Sequence, residues 1–162
     1  MGTAKPLKMM LSIGSFKTSG KIAICDPIYF DRPDILISVL PGEWLVNIKT
    51  DSDNDVLKII ANHTNLNKNI YMPMGTKQKL GHIIVDSAAA GIFDYKYCSK
   101  VGKDKLNDLC HKMLFDTNDH NLWVSDHFVG TISGDGDGEY PVYIARDQDD
   151  NIIFIEIDFL TQ

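Results

Sequence analysis

The sequence predicts a mainly β domain of α+β type, an antiparallel β-sandwich or partly open barrel with one helix near 103–115 and a C-terminal β-hairpin. Three observations carry that expectation. Short runs of alternating apolar residues recur along the chain, each stopped by Gly, Pro, Asn or Asp. Between Lys103 and Phe115 alone, Leu106, Leu109, Cys110, Met113 and Leu114 fall at helical spacing. At the end of the chain, Tyr140 to Ala145 and Ile152 to Phe159 flank the polar Asp147 to Asn151, whose composition is that of a turn.

Lys8 to Ile13 reads as a first strand, followed by a turn at Lys17-Thr18-Ser19-Gly20. Lys21 to Cys25 places Ile22 and Ile24 on one face and Cys25 opposite them; Asp26-Pro27 stops it, because proline cannot donate to a ladder. Asp31-Arg32-Pro33-Asp34 is a further break. A turn at Pro41-Gly42 leads into Trp44 to Ile48, and the polar Asp51 to Asp55 separates this strand from a hairpin partner at Val56 to Ala61. Asn62 to Lys79 is expected to be an irregular connection. His82 to Val85 is a strand ending at Asp86, and the small residues of Ala88 to Gly91 suit close packing against another backbone. Trp123 to Ile132 is mixed, with Phe128, Gly130 and Ile132 in step. In the last strand Ile153, Ile155, Ile157 and Phe159 share a face opposite Glu156 and Asp158.

At 162 residues the chain is expected to form a single domain, 1–162, with one hydrophobic core. Its 44% hydrophobic and 23% charged content is that of a soluble folded protein. A net charge of −6, with no basic run interleaved with aromatics, argues against a nucleic-acid polymer as partner. The apolar stretches are shorter than the roughly 20 residues that span a bilayer. Ser12, Gly14 and Ser15 cut Met9-Met10-Leu11 short of a signal-peptide core. Cys25, Cys98 and Cys110 do not form a disulfide framework, and a reducing cytosol is the expected compartment.

Candidate chemistry centres on Gly134-Asp135-Gly136-Asp137-Gly138-Glu139-Tyr140, where glycines alternate with carboxylates. If the segment is extended, Asp135, Asp137 and Glu139 point to one side. A divalent cation is the cofactor such oxygens would suit, with Asp135 and Asp137 as its ligands. The spacing is neither that of an EF-hand nor that of a phosphate-binding Gly-Lys-Ser/Thr loop. The other reading is a bulged strand entry with its acids in water. Asp26 and Asp86 each close a short apolar strand, either capping turns or converging with Asp137 on one site. His63, His82, His111, His120 and His127 show no zinc spacing, and no Gly-x-Ser-x-Gly elbow occurs.

Four segments in order carry a likeness: Ser19 to Pro27; Pro41 to Val46; Val85-Asp86-Ser87-Ala88-Ala89-Ala90-Gly91-Ile92-Phe93-Asp94; and Gly136 to Tyr143 with Ile157-Asp158-Phe159. The set resembles the DUF4241-like proteins of bacteria and phages over about residues 12 to 159, taken at family level. The resemblance points to Asp26, Asp86, Gly91, Asp94, Gly136, Asp137, Gly138, Tyr140 and Asp158. Ala88 departs from it, standing where the family pattern has glycine. No reaction comes with the resemblance; it implies a small bacterial or phage accessory protein.

The first expectation for function is therefore a non-catalytic binding module. Asp26, Asp86, Asp137, Tyr140, Gly136 and Gly138 would bind a small polar molecule or a protein partner's basic segment. Trp44 and Tyr140 would add contact surface. One form of it sequesters a defence signalling nucleotide, with Lys21, Lys49, Arg146 or a metal offsetting the phosphate charge. A second expectation is a metal-dependent hydrolase built on Asp26, Asp86, Asp135 and Asp137. A third is a structural or interaction protein acting as a homo-oligomer.

Overall fold

The computed structural model describes residues 9–64, 77–116, 122–133 and 136–160. Eleven strands appear among them: β1 (Met9–Thr18), β2 (Lys21–Cys25), β3 (Ile35–Ser38), β4 (Gly42–Thr50), β5 (Val56–His63), β6 (Gln78–Val85), β7 (Ala89–Asp94), β8 (Leu122–Val124), β9 (Phe128–Ile132), β10 (Gly138–Arg146) and β11 (Ile152–Asp158). Two helices, α1 (Tyr95–Val101) and α2 (Lys103–Asp116), follow β7, and a single 3-10 turn at Pro27–Tyr29 follows β2.

The strands form two antiparallel sheets, one ordered β1-β4-β5-β11-β10-β6 and the other β3-β2-β7-β9-β8. Neither closes on itself, so the architecture is a β-sandwich rather than a barrel. Trp44, Val46, Ile48, Ile59, Val142, Ile155 and Ile157 of the six-stranded sheet meet Ile22, Ile24, Ala90, Ile92 and Val129 of the five-stranded one. The opposite face of the smaller sheet is also covered. Ala23, Cys25, Ala89, Phe93, Trp123 and Phe128 pack there with Cys98 of α1 and Leu106 and Cys110 of α2. The layers therefore run sheet, sheet, helices. This explains why every residue of β7 is buried: its two faces serve two cores.

The expected helix is present, with Leu106 and Cys110 buried; Leu109 instead stands 39% exposed. The side chains of Met113 and Leu114 lie outside the described residues. A second helix, α1, was not expected. Asp94 starts it by accepting from Tyr97 N at 3.1 Å, an N-cap that overrides the weak helix preference of Tyr, Cys and Val. Cys25 does lie off the inter-sheet face, but in the second core and fully buried. All three thiols are free. Burial pushes Cys98 and Cys110 up to about 12, and burial, then the charge of Asp26, carries Cys25 well above its ordinary value.

The C-terminal hairpin forms as expected, Val142 opposite Ile157 and Ile144 opposite Ile155. Asp147 holds its turn, accepting from Asp149 N and Asn151 N at 2.9 Å each, and these bonds, that of Asn151 first, lower its carboxyl pKa. A register shift at Ala145/Arg146 breaks the alternation, so Ile152 rather than Ile153 joins Ile155, Ile157 and Phe159 in the inter-sheet core. Within the expected irregular connection, Asn62-His63 extend β5 and Gln78-Lys79 begin β6; residues 65–76 lie outside the described ones. β3, between Asp34 and Val39, is a short edge strand the turn-rich flanks concealed.

Candidate functional site

Asp26 follows β2 and is fully buried, where side-chain oxygens cost stability unless they are hydrogen-bonded. They are. Oδ1 accepts from Ile28 N at 3.0 Å and Ser87 Oγ at 2.6 Å. Oδ2 accepts from Asp86 N at 2.8 Å and Ser87 N at 2.7 Å. One carboxylate thereby caps the Pro27–Tyr29 turn and clasps it to the β6–β7 turn.

Asp137 reaches the same turn from the other side, its Oδ1 accepting from Ala88 N at 2.8 Å. Three successive amides, Asp86, Ser87 and Ala88, are thus held by two carboxylates. Ala88 sits at φ +62°, a left-handed conformation that disfavours a side chain. Glycine would adopt this conformation without that strain. Beside it, Gly136 turns at φ +80° and its carbonyl accepts from Ser133 Oγ and, at 2.8 Å, from Tyr140 OH. Tyr140 is 2% exposed, its ring edge-on to Phe159 in the core, so its role is to tie the strand entry down. Trp44 is fully buried and donates from Nε1 to Leu40 O at 3.0 Å, which removes it as a contact surface. Gly138 opens β10, where an added Cβ would stand 3.2 Å from Tyr140 Oη.

The turn is therefore where Asp26, Asp86 and Asp137 meet. Asp135 lies outside the described residues. Glu139 is exposed, 3.9 Å from His82 Nδ1. Among the described residues no group of three or more His, Cys, Asp or Glu side chains is placed to hold a metal ion. Asp94 forms a second clasp, accepting from Thr18 Oγ1 at 2.7 Å and Ser19 N at 3.0 Å with one oxygen while the other caps α1. Asp158 caps the chain's exit through Leu160 N at 2.8 Å. Gly91 allows β7 and β9 to touch: a Cβ there would meet Val129 O at 2.7 Å.

Asp86 differs from the others. Its amide belongs to the clasp, but its side chain turns outward, where Tyr29 OH donates to Oδ2. That hydrogen bond first, and then desolvation and the charge of Asp86, raise the Tyr29 phenol above its ordinary range, so it stays a donor. Tyr29 and Asp86 line an open cleft of ≈370 Å³ with Arg32, Asp34 and Ile84. Asp34 Oδ2 accepts from Ile84 N at 2.7 Å, covering the edge of β6. Oδ1 of Asp34, Oδ1 of Asp86 and the Arg32 guanidinium have no hydrogen-bond partner among the described residues. Arg32 and Asp34 were missed in sequence because Asp31 to Asp34 reads as a plain break, Ile84 because it reads only as part of the His82 to Val85 strand, and nothing singles out Tyr29. The available signal was a lone Arg between two acids.

These features define an antiparallel β-sandwich with a helical flank, its turns clasped by carboxylates beside an open cleft. The sequence model of DUF4241, described as a protein of unknown function, matches residues 17–157, and the chain belongs to that family. No curated protein and no solved structure matches it. No helix among the described residues is long and apolar enough to cross a membrane.

Proposed function

We propose that this protein is a non-catalytic binding module that holds a small polar ligand in the Tyr29–Arg32–Asp34–Ile84–Asp86 cleft. One observation carries the reading: the carboxylate oxygens divide into two sets. Those of Asp26 and one of Asp137 face backbone and hydroxyl donors of the protein itself. Those of Asp34 and Asp86 each keep an oxygen without a hydrogen-bond partner among the described residues, in a cleft that Arg32 also lines. A volume of ≈370 Å³ lies at the small end of ligand sites, which favours a small molecule over a partner's folded segment. Two carboxylates against one guanidinium weigh against a nucleotide's phosphates, the more demanding form of the proposal.

Amide NMR titration of the whole chain with a library of small polar compounds tests the reading. It expects shifts concentrated at Tyr29, Arg32, Ile84 and Asp86, with the ligand recovered unchanged. Recovery of a chemically altered compound overturns the non-catalytic part. Shifts that avoid the cleft for every binder overturn the site.

A further inference from the structure

We infer that the ligand class of this cleft is a free α-amino acid with an apolar side chain, a step that rests on the binding-module reading above. The cleft offers three kinds of surface at once. Asp86 and Asp34 supply carboxylate oxygens that accept from an ammonium; both side chains are already anchored, by Tyr29 OH and by Ile84 N at 2.7 Å. Anchoring reduces the conformational entropy lost when a ligand docks. Arg32 supplies a planar fork of donors matched to a carboxylate. Its backbone is fixed by donation from Arg32 N to Tyr29 O at 2.9 Å. Ile84 is 50% exposed, and with the Tyr29 ring it gives an apolar wall.

Charge decides among the ligand classes. A simple amine would satisfy the two carboxylates but face the repulsion of Arg32. A simple acid would pair with Arg32 against two carboxylates. A molecule carrying both signs on one carbon uses all three groups, and an apolar substituent on that carbon covers the half-exposed Ile84. The volume of ≈370 Å³ admits such a molecule.

Isothermal titration of the full chain with leucine, isoamylamine, 4-methylvalerate and N-acetyl-leucine, read together with amide NMR, tests this. Leucine is expected to bind at the cleft at least tenfold more tightly than any of the three. Arg32→Ala and Asp86→Asn are each expected to weaken leucine at least tenfold while the melting temperature holds. If isoamylamine binds the cleft as tightly as leucine and Arg32→Ala has no effect, the amino-acid assignment falls and the cleft remains a cation site. If N-acetyl-leucine equals leucine, the ammonium has no role and the assignment falls likewise. If none of the four shifts a cleft amide while other polar compounds do, only the ligand class is wrong. If no compound shifts a cleft amide, both readings fall together.

Discussion

Replacing Asp26 tests whether this buried carboxylate is a clasp or a reactive group. In Asp26→Ala, the amides of Ile28, Asp86 and Ser87 lose the acceptor they now hold at 3.0, 2.8 and 2.7 Å. Each orphaned donor costs about 1–3 kcal/mol, and water reaching this partly buried turn keeps the values near the low end, for a loss of about 4 kcal/mol. Asp26→Asn is the finer probe. Its single carbonyl can keep Asp86 N and Ser87 N, while its amide group can donate to Ser87 Oγ and forfeits only Ile28 N. A loss of about 2 kcal/mol follows from one missing donor pair and the weaker neutral acceptor.

For a chain of 162 residues, 1 kcal/mol moves the melting temperature by about 2–4 °C. The expected drops are therefore about 8–16 °C for Asp26→Ala and about 4–8 °C for Asp26→Asn. Calorimetric melts give the totals, and native-state hydrogen exchange locates them: protection at Asp86 and Ser87 should fall in Asp26→Ala and survive in Asp26→Asn. An Asp26→Asn protein that melts within about a degree of the parent would refute the clasp, as would any gain in stability, the usual sign of relieved functional strain.

Ala88→Gly should raise stability by about 0.5–1 kcal/mol, because relief of the left-handed strain exceeds the entropy glycine adds to the unfolded chain; urea midpoints check it. Gly91→Ala should cost about 2–3 kcal/mol, since the new methyl meets Val129 O at 2.7 Å and forces β7 from β9; the same midpoints check it. The three buried thiols should resist a thiol reagent at pH 8 in the native protein and react together on unfolding. Cys98 and Cys110 are pushed from 9.0 to about 12, so their contribution is whole below pH 9 and is lost as pH rises from 9 towards 12. Cys110→Ala should flatten part of that alkaline slope. Asp26→Asn, which frees the Pro27–Tyr29 turn, should lower the Tyr29 phenol towards its ordinary value, whereas Asp137→Ala should leave it unmoved; tyrosine-selective NMR titration reads both.

The strands most legible in sequence were those with one wet face. β4 alternates buried and accessible side chains, and in β11 Glu156 and Asp158 stand opposite Ile155 and Ile157, with the Asp147 turn marking where the hairpin reverses. β7 carried no alternation because both its faces are buried, so its small residues hinted at close packing without fixing an element. α1 was hidden because Tyr, Cys and Val favour strands, and only the Asp94 cap, a single side chain, decides for helix. The site divides in the same way. The identity of Asp26, Asp86 and Asp137 as special positions could be read from residue type and place. Their partners could not: Asp26 binds amides 60 and 61 residues away, and Asp137 one 49 residues away. Such partners are backbone donors, which every residue except proline carries, so sequence holds no mark of which ones are used. Arg32 was overlooked for the opposite reason, as a charged residue in a break is normally solvated.

The clasp and the cleft are two sides of one construction. Asp26 Oδ1 fixes the turn that presents Tyr29, and Oδ2 fixes the amide of Asp86, whose carboxylate meets the Tyr29 hydroxyl across the cleft. Both walls are therefore set by one buried residue that touches neither the cleft nor solvent. A binding site needs its polar groups held by an outer layer of packing and hydrogen bonds, since a loosely held side chain must be ordered anew by each ligand. Here Asp26 supplies that layer, for the turn that carries Tyr29 and for the amide of Asp86.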